Sequence, residues 1–236
     1  MNEYTTSFGN SAADALPTQR AQFIRKTYLL LAAAILAFIV VEGFLFASGA
    51  ANLIANMIFS GGSMGWLLVL GLFMAVSYLA NRWATSETSS LTQYLGLGIF
   101  IIAEAVIFVP MIMLATYYSG DASVLIKAGI VTLGLFLGIT ATVFITRTDF
   151  SFLGPIIAIG GFAALGFIVA SAIFGFTLGN VFAFVMVAFA GTAILYETSN
   201  VLHRFNTNQH VAASLTLFAS VALLFWYILR IFSSRD

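Results

Sequence analysis

The 236-residue sequence contains no cysteine, only two histidines and only three prolines. Without cysteine the chain cannot form a disulfide bond, a thiolate metal site or a cysteine nucleophile. The two histidines, His203 and His210, are too few for a multi-histidine metal centre. The zinc motif HExxH and the Walker A phosphate loop are also absent. The sequence therefore indicates no enzyme and no resident cofactor.

Charged residues are also scarce, at 8% of the sequence, and the formal net charge is zero. A soluble domain usually carries about 25% charged residues, so this chain has too few to cover a surface exposed to water. A zero net charge also argues against the basic surface that nucleic acids require. With 61% hydrophobic residues, the sequence predicts a protein whose main partner is the lipid bilayer.

Apolar segments of about 20 residues recur along the chain, and each is long enough to cross a bilayer as a helix. We predict seven such helices: Thr27–Ser48, Ser63–Ala80, Gln93–Tyr117, Val124–Ile145, Phe152–Phe174, Leu178–Tyr196 and Val211–Phe232. The connections between them are short and leave no room for a soluble domain. The sequence thus predicts an all-α integral membrane protein, with a polar cytoplasmic tail at residues 1–22 and a transmembrane domain at residues 23–236.

Basic residues in the short connections predict the orientation, because lysine and arginine concentrate on the cytoplasmic side of a membrane. Six of the nine precede the first segment or follow the second, fourth and sixth: Arg20, Arg25, Lys26, Arg82, Arg147 and Arg204. The first connection, around Ala50–Ser60, carries no charge. We therefore predict a cytoplasmic N-terminus and, after seven crossings, an external C-terminus. Arg230 and Arg235 near that end oppose this assignment, and a re-entrant or broken last helix would remove the conflict.

Two acidic residues lie well inside the apolar segments. Glu104 is near the middle of the third segment, and ionisable groups at such a depth usually face the bundle interior. Glu104 is either a carboxylate that relays protons or ions, or a structural acid that is protonated or paired with an arginine. Glu42 lies in the outer third of the first segment, so we interpret it as an acid that extends to the membrane interface.

A third acid, Glu197, lies at the end of the sixth segment. Helical spacing places Glu197, Asn200 and Arg204 on one face. An acid at this position can titrate and act as a gate by pairing with a cytoplasmic-end arginine such as Arg82 or Arg147. The alternative is an interfacial acid in water, with no gating role.

Small and hydroxyl-bearing residues recur inside the segments. Gly134 and Gly138 form a GxxxG pair, and Gly160 and Ala164 form a similar pair; such spacing allows two helices to approach closely in lipid. The last segment carries three hydroxyl side chains that we expect to hold helices together, namely Ser214, Thr216 and Ser220.

Three stretches of the sequence resemble the Bax inhibitor-1 family, in particular its bacterial YccA-like branch. They are Ile24-Arg25-Lys26-Thr27-Tyr28, the connection Thr146-Arg147-Thr148-Asp149-Phe150-Ser151-Phe152-Leu153-Gly154, and Leu195-Tyr196-Glu197-Thr198-Ser199-Asn200-Val201. In the last stretch the family usually has an aromatic residue followed by an acid. The resemblance extends from about Arg20 to the C-terminus, and it gains weight from the seven-segment pattern and the chain length.

The resemblance implies a fold in which six helices surround a central C-terminal helix. For some family members it also implies a pH-sensitive calcium leak. In those members an acid at the position of Glu197 shares a proton with a second acid on the last helix, and a nearby arginine helps to switch the channel. The implied gating set here is Glu197, Glu104, Arg82, Arg147 and Asp149, with Glu197 as a calcium ligand and calcium as the transported ion.

This sequence departs from that pattern at the second acid. The matching stretch of the last segment, Ser214–Ser220, contains no aspartate or glutamate. A simple pair of acids between the sixth and seventh segments therefore cannot form, and Glu104 is the candidate substitute.

Two functions remain open. The first is a cation leak channel in a bacterial inner membrane, with Glu197 as its titrating gate. The second is a membrane protein that binds and restrains an AAA+ protease of the FtsH type, a role implied by the YccA-like resemblance and assigned to helix contacts and the tail from Met1 to about Pro17. An intramembrane enzyme lacks a nucleophile-base pair or a metal motif, and the sequence leaves the oligomeric state open.

Overall fold

The computed structural model describes residues 11–86 and 89–234, which form eight α helices. Their bounds are α1 Pro17–Ala47, α2 Ala50–Ser60, α3 Gly62–Ala84, α4 Ser90–Ser119, α5 Ser123–Thr146, α6 Leu153–Phe174, α7 Gly179–His203 and α8 His210–Ser233. All of these except α2 are long and apolar enough to cross a membrane. The seven predicted segments and the all-α membrane fold are therefore confirmed.

The short helix α2 occupies the first connection, which the sequence analysis treated only as an uncharged link. Its 11 residues rise about 16 Å, roughly half the thickness of a bilayer's hydrocarbon core. Ala51, Ala55 and Ile58 are buried, and α2 packs against α1, α3 and α4. An apolar helix thus covers one end of the bundle without crossing it.

Helix ends follow local signals in the sequence. The Ser89 hydroxyl caps α4 by accepting the Leu91 N–H at 3.2 Å. Gly120 ends the same helix with φ +69°, a left-handed conformation that costs glycine little. Arg147 ends α5 with φ +52°, which is uncommon for a residue with a side chain.

The C-terminal helix α8 is the centre of the bundle. It contacts α1, α3, α4, α5 and α7, and most of its length is buried. Leu217, Leu224 and Leu229 are fully enclosed. α8 runs unbroken from His210 to Ser233, so the broken last helix considered above is wrong, and the two ends of the described chain lie at opposite faces of the bundle.

Helix α6 lies at the outside of the bundle, and its main contacts are with α3 and α7. Its outer side chains are apolar and exposed, for example Phe162 at 78%. Val181 at the start of α7 is equally exposed. An apolar surface of this kind requires lipid as its solvent.

One of the two small-residue pairs packs helices together and the other does not. Gly160 faces Phe189 of α7, and Ala164 is buried in the same contact region, which confirms that pair. Gly134 and Gly138 are exposed, and a Cβ added at either would meet no atom within 4 Å. The packing role predicted for this GxxxG pair is therefore wrong for contacts within the described chain.

The N-terminal segment is attached to the connection between α7 and α8. The Ala12 N–H donates to the Phe205 carbonyl at 2.8 Å, and Ser11 forms an antiparallel bridge with Asn206. Residues 1–10 of the predicted tail lie outside the described residues. Helix α1 begins at Pro17, so the last six residues of the predicted tail, 17–22, are helical.

Candidate functional site

Glu104 lies in the middle of α4 and is only 7% exposed. Ala105 and Phe108 beside it on the helix are also buried. Among the described residues, the carboxyl group of Glu104 has no hydrogen-bond partner. A charged group without a partner is costly in a low-dielectric interior, and this makes Glu104 the first residue to examine for function.

The side chain of Glu104 faces a cavity of about 460 Å³ between α3, α4, α6, α7 and α8. Apolar and aromatic side chains form most of its wall, among them Trp66, Phe108 and Trp226. The polar residues on the wall are Ser63, Ser171, Tyr227 and Arg230, besides Glu104. The cavity thus contains one acid, one basic residue and three hydroxyl-bearing residues in mostly apolar surroundings.

Ring contacts between α4 and α8 show at what depth in the bundle the cavity lies. Phe100 lies 6.0 Å from Phe218, and Phe108 lies 4.9 Å from Trp226, measured between ring centroids. The two helices therefore run parallel, and Glu104 is level with about Ala222. Arg230 is eight residues further along α8, or about 12 Å. The cavity extends from Glu104 toward the end of the bundle where α8 finishes.

Glu197 is half-buried near the end of α7. Its Oε2 accepts a hydrogen bond from Asn200 Nδ2 at 3.4 Å, and the hydroxyl of Thr216 on α8 lies beside its carboxyl group. The predicted shared face of Glu197 and Asn200 is therefore present. Thr216 lies six residues before Ala222, the residue of α8 that is level with Glu104, and this is about 9 Å along the helix axis. Glu197 and Glu104 therefore lie at different depths beside α8.

The predicted arginine latches lie elsewhere. Arg82 is exposed in the last turn of α3, and Arg147 is exposed at the end of α5. The partners of the Glu197 carboxyl group are the Asn200 amide and the Thr216 hydroxyl, so a latch between Glu197 and either arginine is not formed in this conformation.

Asp149 connects the α5–α6 link to the end of α7. Its Oδ1 accepts the Ser151 N–H at 2.9 Å and lies 3.5 Å from the Ser199 hydroxyl, which in turn accepts the Phe150 N–H at 2.9 Å. The Ser151 N–H, chiefly, lowers the pKa of Asp149, with smaller contributions from Arg204 and His203. Asp149 is thus an exposed carboxylate that lies beside Ser199, two residues after Glu197 on α7.

Sequence reasoning missed the environment of Glu42. This residue is 7% exposed, and neither carboxyl oxygen has a hydrogen-bond partner, so the interpretation that it extends to the interface was wrong. Glu42 continues the buried face of α1 that Thr27, Leu31 and Ala34 form at helical spacing. The sequence contains no signal for this, because α1 is apolar on every side and its buried face is seen only in the structure.

Two further polar contacts hold the first turns of α8. Tyr94 Oη lies 3.2 Å from His210 Nε2, and this links the start of α4 to the start of α8. The Ser214 hydroxyl donates to the Thr27 carbonyl of α1 at 2.8 Å, as expected for a hydroxyl that holds helices together.

Metal-binding side chains do not cluster in residues 11–86 and 89–234: no group of three or more histidines, cysteines, aspartates or glutamates could hold an ion there. Calcium usually takes six to eight oxygen ligands. Calcium ligation by Glu197 stays a prediction.

Comparison with known proteins supplies the family. The sequence model described as "Inhibitor of apoptosis-promoting Bax1" matches residues 20–236. An uncharacterized protein of Pseudomonas aeruginosa is 32% identical over 163 residues, 68% of each chain. Bax inhibitor 1 of Schizosaccharomyces pombe is 27% identical over 226 residues, 93% of this chain and 79% of that protein. Protein lifeguard 4 of Mus musculus is 25% identical over 237 residues, 95% and 90% of the two chains.

These matches cover the same part of the chain as the resemblance found in the sequence. The family match, over residues 20–236, includes all seven of the long apolar helices apart from the first three residues of α1. The chain is a multi-pass membrane protein that belongs to the Bax inhibitor-1 family.

Proposed function

We propose that the protein is a pH-sensitive leak pathway for cations in a bacterial inner membrane, with calcium as the transported ion. The observation that carries this proposal is Glu104, a buried carboxyl group without a partner at the inner end of a cavity. A carboxylate at such a depth attracts cations into an otherwise apolar space. Relatives in Pseudomonas aeruginosa and Neisseria meningitidis support the bacterial location.

The route runs beside α8 and is closed in this conformation. From the end of α8 the cavity leads inward to Glu104, and the rings of Phe100 and Phe218 lie beyond it. Glu197 is about 9 Å deeper along the axis. An apolar constriction between two acids is a common form of channel gate, because it excludes water and ions until it widens.

Glu197 is the residue that we propose as the titrating gate. Its two partners, Asn200 and Thr216, are uncharged, so gain or loss of a proton changes the net charge beside α8. A charge change next to a central helix can bias that helix between two positions. Arg82, Arg147 and Asp149, at the ends of neighbouring helices, are the proposed partners of Glu197 in the second position.

A pH-stepped calcium flux assay on purified protein in liposomes tests this proposal. We expect flux that changes with pH, loss of that pH dependence in Glu197→Gln, and reduced flux in Glu104→Gln. Glu42→Gln is the matched control, because Glu42 is equally buried but lies outside the cavity. An unchanged pH dependence in Glu197→Gln would remove this residue as the gate, and absence of calcium flux at every pH would refute the leak.

Regulation of an AAA+ protease gains no support from the contacts described here, and the three relatives reported above are not named for it. Most of the tail assigned to this role, residues 1–10, lies outside the described residues. The protease role therefore stays a prediction from the resemblance.

A further inference from the structure

The cavity at Glu104 has the size and lining of a site for a small organic molecule. Its volume of about 460 Å³ falls within the range of about 300–1,000 Å³ that is typical of small-molecule pockets. Aromatic and aliphatic side chains dominate its wall, and few polar groups interrupt them. A bare calcium ion would find one carboxylate and the three hydroxyl groups of Ser63, Ser171 and Tyr227, whereas it prefers six to eight oxygen ligands. The wall therefore suits an organic ligand better than a resident metal ion.

Glu104 defines the charge of that ligand. It is the only acid on the cavity wall, it is more than nine-tenths buried, and its carboxyl group has no hydrogen-bond partner among the described residues. An ammonium group supplies both a positive charge and up to three hydrogen-bond donors. Such a group would compensate the buried carboxylate through short charge-assisted hydrogen bonds.

The aromatic side chains add a second preference for a cation. Trp226 lies edge-to-face with both Trp66 and Phe108, at centroid distances of 6.4 Å and 4.9 Å. All three rings line the cavity. Indole faces attract organic cations within about 6 Å through their quadrupole and also accommodate an apolar body.

The basic residue of the cavity does not oppose this arrangement. Arg230 is about 12 Å beyond the level of Glu104 along α8, at the other end of the cavity. The ammonium group of a ligand therefore belongs at the Glu104 end, and its apolar part belongs between the rings.

We propose that the cavity binds an amphipathic organic ammonium ion, with its nitrogen on the Glu104 carboxylate and its apolar body against Trp66, Phe108 and Trp226. This site goes beyond the leak pathway and does not depend on it, because binding is measured without ion flux.

Intrinsic fluorescence provides the readout. Two of the three tryptophans line the cavity, and the third, Trp83, lies at the other end of α3. In a Trp83→Phe background, both emitting residues report on the cavity. The protein is placed in phosphatidylcholine nanodiscs and titrated with n-hexylammonium or with 1-hexanol, its neutral counterpart. We expect saturable binding of the ammonium ion with a Kd at least about tenfold below that of the alcohol.

Two variants identify the residue responsible. Glu104→Gln should reduce the preference for the ammonium ion to less than about threefold, whereas Glu42→Gln should retain it. Equal Kd values for the two probes in the unsubstituted protein would overturn the proposal, and so would a signal that does not saturate. A preference that survives in Glu104→Gln would also overturn it. The comparison of the two probes needs no variant at Glu104, so misfolding of Glu104→Gln would leave a decisive measurement.

Discussion

At the scale of single residues, three glutamates in the membrane-spanning helices have the same side chain but different surroundings. Glu42 is enclosed without a partner, Glu104 opens into a cavity, and Glu197 has an amide and a hydroxyl beside it. Hydropathy and spacing predict that each acid sits in an apolar helix. Hydropathy and spacing do not show which side chains of distant helices lie beside each acid. The three environments could therefore not be distinguished from the sequence.

Asp149 gives a prediction about pH at this scale. The Ser151 N–H lowers the pKa of its carboxyl group in the folded state, below the value of about 3.9 in an unfolded chain. The contribution of the ionised group to stability is therefore complete above about pH 4 and is lost as the pH falls through the folded-state pKa. We expect Asp149→Ala to lower the apparent unfolding temperature in detergent at pH 7, and this difference to shrink toward about pH 2.

The matched variant for Asp149 is asparagine, which keeps an oxygen acceptor for the Ser151 N–H and removes the charge. Asp149→Asn should retain part of the stability at pH 7 and show little change with pH. If the deficit of Asp149→Ala were the same at both pH values, the ionised carboxylate would not be the stabilising form.

At the scale of helices, the sequence was sufficient for the long elements and insufficient for their contacts. Seven long apolar runs can only be helices that cross the bilayer, because lipid leaves no other partner for the backbone. Helix α2 was missed since 11 residues are too few to cross and its uncharged sequence is equally typical of a loop. Gly134 and Gly138 show the other limit: their spacing permits close packing but does not specify which face meets a neighbour.

Gly96 and Gly98 on α4 test whether a glycine is needed where two helices pack closely. A Cβ at Gly96 would lie 2.6 Å from the Ala80 carbonyl oxygen and 2.9 Å from the Ala84 nitrogen of α3. These are backbone atoms, so α3 and α4 would have to separate. We expect Gly96→Ala to destabilise the protein by about 1–3 kcal/mol, measured by unfolding in mixed detergent.

Gly98, two residues along the same helix, is the control. A Cβ there would meet no atom within 4 Å, so Gly98→Ala should change stability by no more than about 0.5 kcal/mol. Equal losses in the two variants would mean that glycine is needed for the conformation of α4 itself and not for its contact with α3.

At the scale of the whole molecule, the central helix determines both the fold and the candidate site. The resemblance to a family implied that α8 would be central, and the contacts of α8 confirm it. The cavity is different, because it is formed where five helices from distant parts of the sequence leave a gap beside α8. Only Glu104 could be selected in advance. Arg230 was noted for its charge alone, and the aromatic wall had no signal in a sequence that contains 24 phenylalanines.

The complete bundle also predicts the exposure of its ends, and the absence of cysteine makes this testable with single introduced cysteines. Thr148 and Ser234 are both exposed, the first beside Arg147 and the second just after α8. Seven crossings place them on opposite sides of the membrane. The excess of basic residues on that face predicts that Thr148 lies in the cytoplasm. In intact spheroplasts, a membrane-impermeant maleimide should therefore label Ser234→Cys, whereas Thr148→Cys should react only after permeabilisation.

The two possible failures of this labelling experiment separate two parts of the argument. The reverse pattern would keep seven crossings and invert the orientation, which would mean that Arg230 and Arg235 outweigh the six basic residues of the other face. Labelling of both cysteines from one side would require an even number of membrane crossings between Thr148 and Ser234, where the structure has the three helices α6, α7 and α8. Because α8 is unbroken and mostly buried among its neighbours, the helix that would fail to cross is the peripheral helix α6. The cavity that α6 helps to enclose would then open to the lipid.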